Sequence, residues 1–462
     1  MSPPRISPLE QRVRTWASNL DVDAAQFVRE RLRTGARDRQ MWMGAASDDV
    51  GVVDISFVPG LIDPAALGYL HYVAWQLRGA VGTTMAHALP HLEFAAGEQE
   101  WFDTTGSETT RTTDRPFCRL DVLIGPAAPG EAPDIQLIEV NSVGVGGLNY
   151  VRDAAHIWLD AVDGQAIDGI DGRQMFQVAD PRQILWDEFL ASFDHPVGSV
   201  AVVELQETYD SDGEIRRIID WIRRRDVDAV FVEPHQIEMM RGDHIVAGDE
   251  PVDAILRMVD LADLSAAELD VGGRFHGLRT AFKRGLVWPP LSWEGDHKVL
   301  MEWMQTPECL SLMTASQREV VFKHVLWTRS FADRETTGPG GRTVELVRYA
   351  RHQRRSLVLK PDRGYGGDGV LLGAEASQPQ WERAIDGALN SPETMVIQRS
   401  GGFESVDIPA LDDEAVEMTE HYTVAGLFPG SGGVGVLGRF ADDRVVNISR
   451  GAGVMPFFVD MS

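Results

Sequence analysis

Lys360-Pro361-Asp362-Arg363-Gly364-Tyr365-Gly366-Gly367-Asp368-Gly369-Val370 is the most informative stretch of this 462-residue chain. The apolar run LVLK (357–360) reads as a buried strand that ends on a lysine. Pro361 stops the ladder, because proline has no N–H to donate. Four glycines then let a loop approach a polyanion closely with its backbone N–H groups exposed. Lys360 supplies a point charge for a phosphate oxygen. The P-loop pattern GxxxxGK[ST] is absent. A dinucleotide fingerprint needs a helix after the loop, and the β-like GVLLG follows instead. The competing reading is a glycine-rich hairpin turn beside a surface lysine. Strand, Lys-Pro, loop and strand in succession favour phosphate binding over it.

A second signal lies far upstream. FCRLDVLI (117–124) and IQLIEV (135–140) read as strands joined by a Pro/Gly-rich connector, hence as a β-hairpin. Asp121 and Glu139 are equidistant from Gly130, as are Arg119 and Asn141. A symmetric antiparallel register makes them two directly opposed pairs. Residues two apart share a face, so all four side chains point the same way. Two carboxylates and an amide oxygen suit Mg²⁺, and the guanidinium suits a developing acyl phosphate. Any one of these residues alone is better read as part of a polar surface; the symmetric spacing between apolar flanks argues for a cleft. Two adjacent carboxylates repel without a cation, so the expectation is a site poorly organised until metal-nucleotide arrives.

Between these signals, SVAVVEL (199–205), the helical DGEIRRIIDWIRRRD, AVFV (229–232) and DAIL (253–256) alternate as strand, helix and strands. That order predicts a small parallel α/β unit. Upstream, Asp63-Pro64 is a good helix start for AALGYLHYVAWQLRGAV. MVIQ (395–398) reads as a strand, and GVGVLGRF through RVVNIS as β-structure.

Arg-x-Asp, Glu-x-Asn, a later lysine, then Lys-Pro and a glycine-rich loop resemble the circularly permuted ATP-grasp ligases, the group of the glutathionylspermidine synthetase-type and related peptide or amide ligases. In this group the metal-binding strands precede the nucleotide lysines, as they do here. The resemblance covers roughly residues 115–455. It implies a mixed α/β fold, a permuted ATP-grasp core with an inserted parallel α/β domain. The expected units are an N-terminal region ending in the hairpin (1–185), the inserted domain (195–275) and the nucleotide-binding portion (276–462).

It further implies ATP and Mg²⁺ as cofactors, with Asp121, Glu139 and Asn141 as metal ligands. Arg119 would stabilise the transferred phosphoryl group. Lys360 would contact ATP phosphates under the loop carrying Gly364, Gly366, Gly367 and Gly369. Lys298, in Asp296-His297-Lys298, would be the other nucleotide lysine, with Lys323 in FKHVLWTR as the alternative. Gln398 occupies the place of the segment that hydrogen-bonds adenine. The implied function is a carboxylate–amine ligase that forms an amide or peptide bond through an acyl phosphate, releasing ADP and phosphate. Its partners would be a small-molecule carboxylate and an amine such as an amino acid, peptide or polyamine-like compound. The alternatives are a carrier-protein thiol as acceptor, or a catalytically silent scaffold that binds nucleotide or a partner protein.

Gly144, Gly146 and Gly147, just after Asn141, offer backbone donors to an oxyanion or form a flexible turn. Arg439, Asn447 and Arg450 are further candidates for phosphate or substrate contact. His87 and His91 have helical spacing, but Pro90 breaks the helix that would align them. The formal charge of −27, from 70 acidic and 43 basic residues, argues against nucleic-acid and anionic-membrane partners. Two cysteines, Cys118 and Cys309, make neither a disulfide framework nor a zinc site. No apolar run reaches the ~18 residues of a membrane span. The opening MSPPRISPLEQRVRTW has no signal-like apolar stretch, which gives a cytoplasmic expectation.

Overall fold

The computed structural model describes residues 8–43, 51–105, 115–125, 131–163, 175–239, 245–402, 405–411 and 416–461. Three sheets carry the architecture, and chain segments distant in sequence share the first of them.

That antiparallel sheet runs Gly453–Met455, Gly433–Ala441, Val416–Gly430, Arg119–Ile124 and Ile135–Asn141, with Ser405–Leu411 also paired to Val416–Gly430. The upstream hairpin thus extends a C-terminal meander, through Leu120↔Leu427, Asp121↔Gly426 and Val122↔Ala425. One face is closed by the helix Pro64–Ala88. Its start follows the expected chemistry: Asp63 accepts from Ala65 N and Ala66 N, and Pro64 occupies a first-turn position where its missing N–H costs nothing. Leu70, Val73, Ala74, Leu77, Ala80 and Val81 of this helix are buried in the main core with Leu120, Leu427 and Phe428.

A second antiparallel sheet orders Thr328–Ser330, Met395–Arg399, Leu357–Pro361 and Leu371–Leu372. Trp381 and Ile385 from the helix Gln378–Leu389 pack with Leu357, Leu359 and Ile397 beneath it. A third sheet is parallel and orders Val287–Trp288, Ala254–Arg257, Ser199–Val203 and Asp228–Val232. Val200 to Val203 are fully buried, as a central parallel strand requires. The helix Gly213–Arg223 buries Ile215, Ile218, Ile219 and Ile222 on one face, matching the sequence pattern. The strand Val287–Trp288 lies beyond residue 275, the expected end of this unit. The tip of the upstream hairpin, 126–130, lies outside the described residues. Cys118 and Cys309 are buried free thiols. Among the described residues, no helix is long and apolar enough to cross a membrane.

A small sheet joins distant segments of the chain, with Gly60–Ile62 parallel to Phe457–Asp460 and Met175–Gln177 on the other side. Trp158 packs against Phe458 at 5.6 Å between ring centroids, and its indole N–H donates to Phe57 O. It is fully buried. Trp158→Ala should therefore lower unfolding free energy by about 3–5 kcal/mol, from the cavity and the orphaned carbonyl. Urea titration checks this; a loss below about 1 kcal/mol would mean that these segments are not clamped through this ring.

Candidate functional site

The hairpin register places the four upstream candidates together. Arg119 faces Asn141 and Asp121 faces Glu139. A β-bulge follows, with Val122 opposite Leu137, so Ile138 is the extra residue. A bulged residue leaves the ladder, and its carbonyl is free to point elsewhere.

Asp121 is buried between two guanidinium groups. Arg119 grips it through Nε–Oδ1 at 2.7 Å and Nη2–Oδ2 at 3.0 Å. Arg439 Nη2 lies 3.0 Å from Oδ2. Burial pushes the Asp121 carboxyl up, but Arg119 and Arg439 outweigh it and hold the group well below the usual carboxylate range. The expected repulsion between Asp121 and Glu139 is thus corrected: Arg119 and Arg439 balance the Asp121 charge. Gly426 lets this happen. It faces Asp121 across the ladder, and a Cβ there would come within 2.7 Å of Arg119 Cδ.

Lys360 arrives from the second sheet. Its ammonium donates to the Ile138 carbonyl and to Gln398 Oε1, each at 2.9 Å. Burial lowers its pKa to about 8, against the opposing pull of Glu139. Gln398 also donates to Thr328 Oγ1 at 2.9 Å. Its buried amide is therefore committed to Lys360 and the sheet, and its strand is paired on both sides. Lys298 is buried, donates to Gly364 O at 3.1 Å and lies 3.9 Å from Glu139 Oε2. Lys323 is exposed on the helix Ala315–His324 and donates to the Tyr69 hydroxyl at 2.6 Å. The geometry thus brings Lys298, not Lys323, to Lys360 and Glu139.

The glycine loop takes the left-handed conformations its composition allows: φ is 70° at Gly366, 78° at Gly367 and 70° at Gly369. A Cβ at Gly367 would lie 2.4 Å from Val445 Cγ1. The loop is held at its base. Asp362 accepts from Val299 N at 2.7 Å and pairs with His297 Nδ1 at 2.6 Å. Arg363 donates to both oxygens of buried Glu98 at 2.7 Å. Beyond the base, Tyr365 donates to Asp296 Oδ2 at 3.4 Å and Arg450 to Gly367 O at 3.4 Å.

The donors expected from the loop after Asn141 are partly used already. Gly147 N and Asn149 N donate to the buried Glu214 carboxylate at 2.7 and 2.9 Å. Gly146 O accepts from Arg119 Nη1 at 2.8 Å. The segment is a braced turn rather than a flexible one, and Gly147 is not a free oxyanion donor.

The two sheets enclose a cleft of about 700 Å³ including its open mouth, bordered by Asp121, Glu139, Lys360, Gln398, Gly367, Arg439 and Asn447. Val358, Leu372 and Val446 add an apolar wall. Such a cleft, apolar with a few convergent charges, suits a nucleotide. The oxygens of Glu139 and Asn141, with Asp121 behind, fit Mg²⁺ by donor type. Among the described residues no group of three His, Cys, Asp or Glu could hold a metal alone. Mg²⁺ here would share its ligands with phosphate oxygens. The supporting groups Glu98, Glu214, Asp296 and Asp362 went unforeseen, because each acts through a partner 60 or more residues away.

No family model matches the chain, and no curated protein matches its sequence. Among solved structures it is similar to a glutathione synthetase-like effector from Globodera pallida, determined in the apo form. The two share 10% identity and a TM-score of 0.59 over 96% of this chain and 98% of that one. A putative gamma-glutamylcysteine synthetase from Methylobacillus flagellatus aligns over 87% of this chain and 89% of its own, at 12% identity and a TM-score of 0.36. The ATP-grasp ligase PsnB, in complex with a minimal precursor, aligns over 55% of this chain and 91% of its own, at 13% identity and a TM-score of 0.24. Those last two scores are too low to bear on the argument. The first holds over nearly the whole length of both chains, and with it this chain shares the fold of that glutathione synthetase-like protein.

Proposed function

We propose that this chain is an ATP- and Mg²⁺-dependent carboxylate–amine ligase working through an acyl phosphate. The observation that supports this reading is the meeting of two dissimilar sets of side chains across one cleft. Lys360 borders the cleft from one side, with Lys298 next to it at 3.9 Å from Glu139; Asp121, Glu139 and Arg439 border it from the other, with Arg119 gripping Asp121. Cations alone would bind an anion. Cations facing a carboxylate–arginine set can bind a nucleotide and also stabilise charge as a phosphoryl group moves.

In the first step a substrate carboxylate oxygen attacks the γ-phosphorus of ATP, and the bond to the β,γ-bridging oxygen breaks to release ADP. Lys360, whose ammonium now rests on Ile138 O and Gln398, turns to the phosphates. Lys298 neutralises the same charge from beside Glu139. Arg119, fixed by Asp121 and Gly146, holds the acyl phosphate. Mg²⁺, held by Glu139, Asn141 and Asp121 with phosphate oxygens, would supply further neutralisation. In the second step a neutral amine attacks the acyl carbon, the C–O bond to phosphate breaks, and the amine proton leaves with phosphate or to water. The glycine loop 364–369 excludes water meanwhile, which protects the acyl phosphate from hydrolysis.

The chain order, hairpin before lysine strand, supports reading the core as circularly permuted, and the parallel sheet from Ser199 to Trp288 as an insertion within it. The substrates on this reading are a small carboxylate and an amino acid, peptide or polyamine-like amine.

Three measurements test the proposal. ADP release should require Mg²⁺ and both substrates. Glu139→Gln should lower it by about 100-fold or more with little change in Tm, because Glu139 is half-exposed in the cleft and the amide keeps its shape. ADP release at the wild-type rate from Glu139→Gln would overturn the site. Asp121→Asn is a poorer probe, since it also leaves two buried guanidinium groups short of charge and should destabilise the fold.

Lysine identity is separable by calorimetry. Lys298→Ala should weaken ATP binding by about tenfold or more, since it removes a buried charge-assisted contact, while Lys323→Ala leaves it unchanged. The reverse result would move the second lysine to position 323.

Lys360 gives a pH signature. Its ammonium persists below about pH 8 and is lost as pH rises through that value. ATP affinity, measured at constant ionic strength, should therefore fall above about pH 8. Lys360→Arg, which keeps its charge, should flatten the profile. A wild-type affinity that stays level across this range would overturn the assignment.

A further inference from the structure

A second charged cavity lies away from the cleft, where the C-terminal end of the helix Val22–Asp38 meets the helices Tyr150–Val162, Pro181–Ala191 and Gly213–Arg223. Its lining is Asp38, Arg39, Gln40, Asp153, Arg182, Arg217, Asp220 and Arg224, around about 570 Å³ of open space. Four guanidinium groups in one pocket stand out on a chain of net charge −27.

The floor is built around one buried carboxylate. Asp153 touches Arg217 and lies 3.8 Å from Arg182 Nη1 and 3.9 Å from Arg39 Nη1. Arg182 is further gripped by Asp180 through Nε and Nη2, at 3.0 and 2.9 Å. Arg39 reaches exposed Asp160 at 3.4 Å. Of the other lining carboxylates, Asp38 and Asp220 are exposed at the rim, and Asp220 lies 3.7 Å from Arg223.

Donors remain unused. Arg217 Nη1 is buried without a partner. The Arg224 guanidinium has no hydrogen bond or ion pair among the described residues. The buried Gln40 Oε1 is also unpartnered, and an amide in that position can turn its NH₂ inward instead. Burial lowers the Arg217 pKa to about 10, opposed by Tyr150 and helped by Arg39 and Arg224. His156 is held below its usual value by burial, then by Arg39 and Arg152.

We infer that this pocket is a second binding site, for a small oxyanion carrying more than one negative charge. Arg217 Nη1, Arg39 and Arg224 supply forked donors that match phosphate or carboxylate oxygens. Asp153 is the internal counter-ion that keeps the guanidinium groups oriented when the site is empty. A phosphate-bearing molecule and a dicarboxylate share this chemistry. The site has a physical connection to the cleft. One turn before Arg217 on the same helix, Glu214 holds Gly147 N and Asn149 N of the loop that follows Asn141. Asp153 lies on the helix that this loop begins.

Hydrogen–deuterium exchange on the full chain tests the inference with site resolution, so that phosphate entering the nucleotide cleft is read separately. Inorganic phosphate, pyrophosphate and succinate are the probes. At least one should slow exchange in residues 36–43 and 213–225, dose-dependently. Response to the phosphates alone identifies a phosphate-bearing ligand, and response to succinate alone a dicarboxylate; either supports the site. The double variant Arg39→Gln/Arg224→Gln changes only side chains at the open part of the pocket, and should weaken the protection at least about tenfold. Arg216→Gln, which removes the same charge from the same helix but outside the pocket, should not. Absence of protection in these segments with all three probes, or protection that survives in the double variant, would overturn the inference.

Discussion

Lys360 Nζ resting on the Ile138 carbonyl is the contact that makes one site out of two sheets. A carbonyl inside a regular ladder is occupied by its cross-strand partner. The bulge at Ile138 releases this one, so that an ammonium from the other sheet can take it. Two carboxylates lie on the same hairpin, and burial alone would leave Lys360 only weakly charged. The resting contact therefore stores the lysine beside its working position, charged at neutral pH and already desolvated. The same logic governs Asp121, whose negative charge is matched by Arg119 and Arg439 before any ligand arrives. Preorganisation of this kind removes reorganisation from the chemical step.

On the proposed reading, the cleft also accounts for a polyphosphate bound by a chain with so acidic a surface. Long-range attraction is not needed when cations are buried, because screening and the surrounding negative charge weaken with burial. Lys298 and Lys360 are both nearly inaccessible, and their field is confined to the cavity they border. The arginine pocket beside Asp153 follows the same rule on a smaller scale.

The hairpin was legible because strand side chains alternate with period two, and Arg119, Asp121, Glu139 and Asn141 keep that period on both strands. The glycine loop was legible because positive φ at Gly366, Gly367 and Gly369 demands the residue type that stands there. The bulge was not, since one extra residue in a strand leaves no mark on composition. Nor was the commitment of Gln398 to Lys360, or of Glu214 to Gly147, because such pairings depend on tertiary placement that periodicity does not encode. The mistaken expectation of a repulsive carboxylate pair had the same source. Arg439 was noticed, but its distance from Asp121 along the chain hid the ion pair that settles the local charge.

The central sheet joins residues 120–122 to residues 425–427. During synthesis the hairpin leaves the ribosome some 300 residues before its neighbour strand exists, which at ~5–20 residues per second is tens of seconds. Through that interval one edge of Arg119–Ile124 has no strand to pair with, and an open edge recruits foreign strands. The polar residues Arg119 and Asp121 on that very strand then act as a guard: a charged strand is a poor template for aggregation. Side chains that meet at the site in the finished protein thus blunt the open edge of this strand until the C-terminal half closes the sheet.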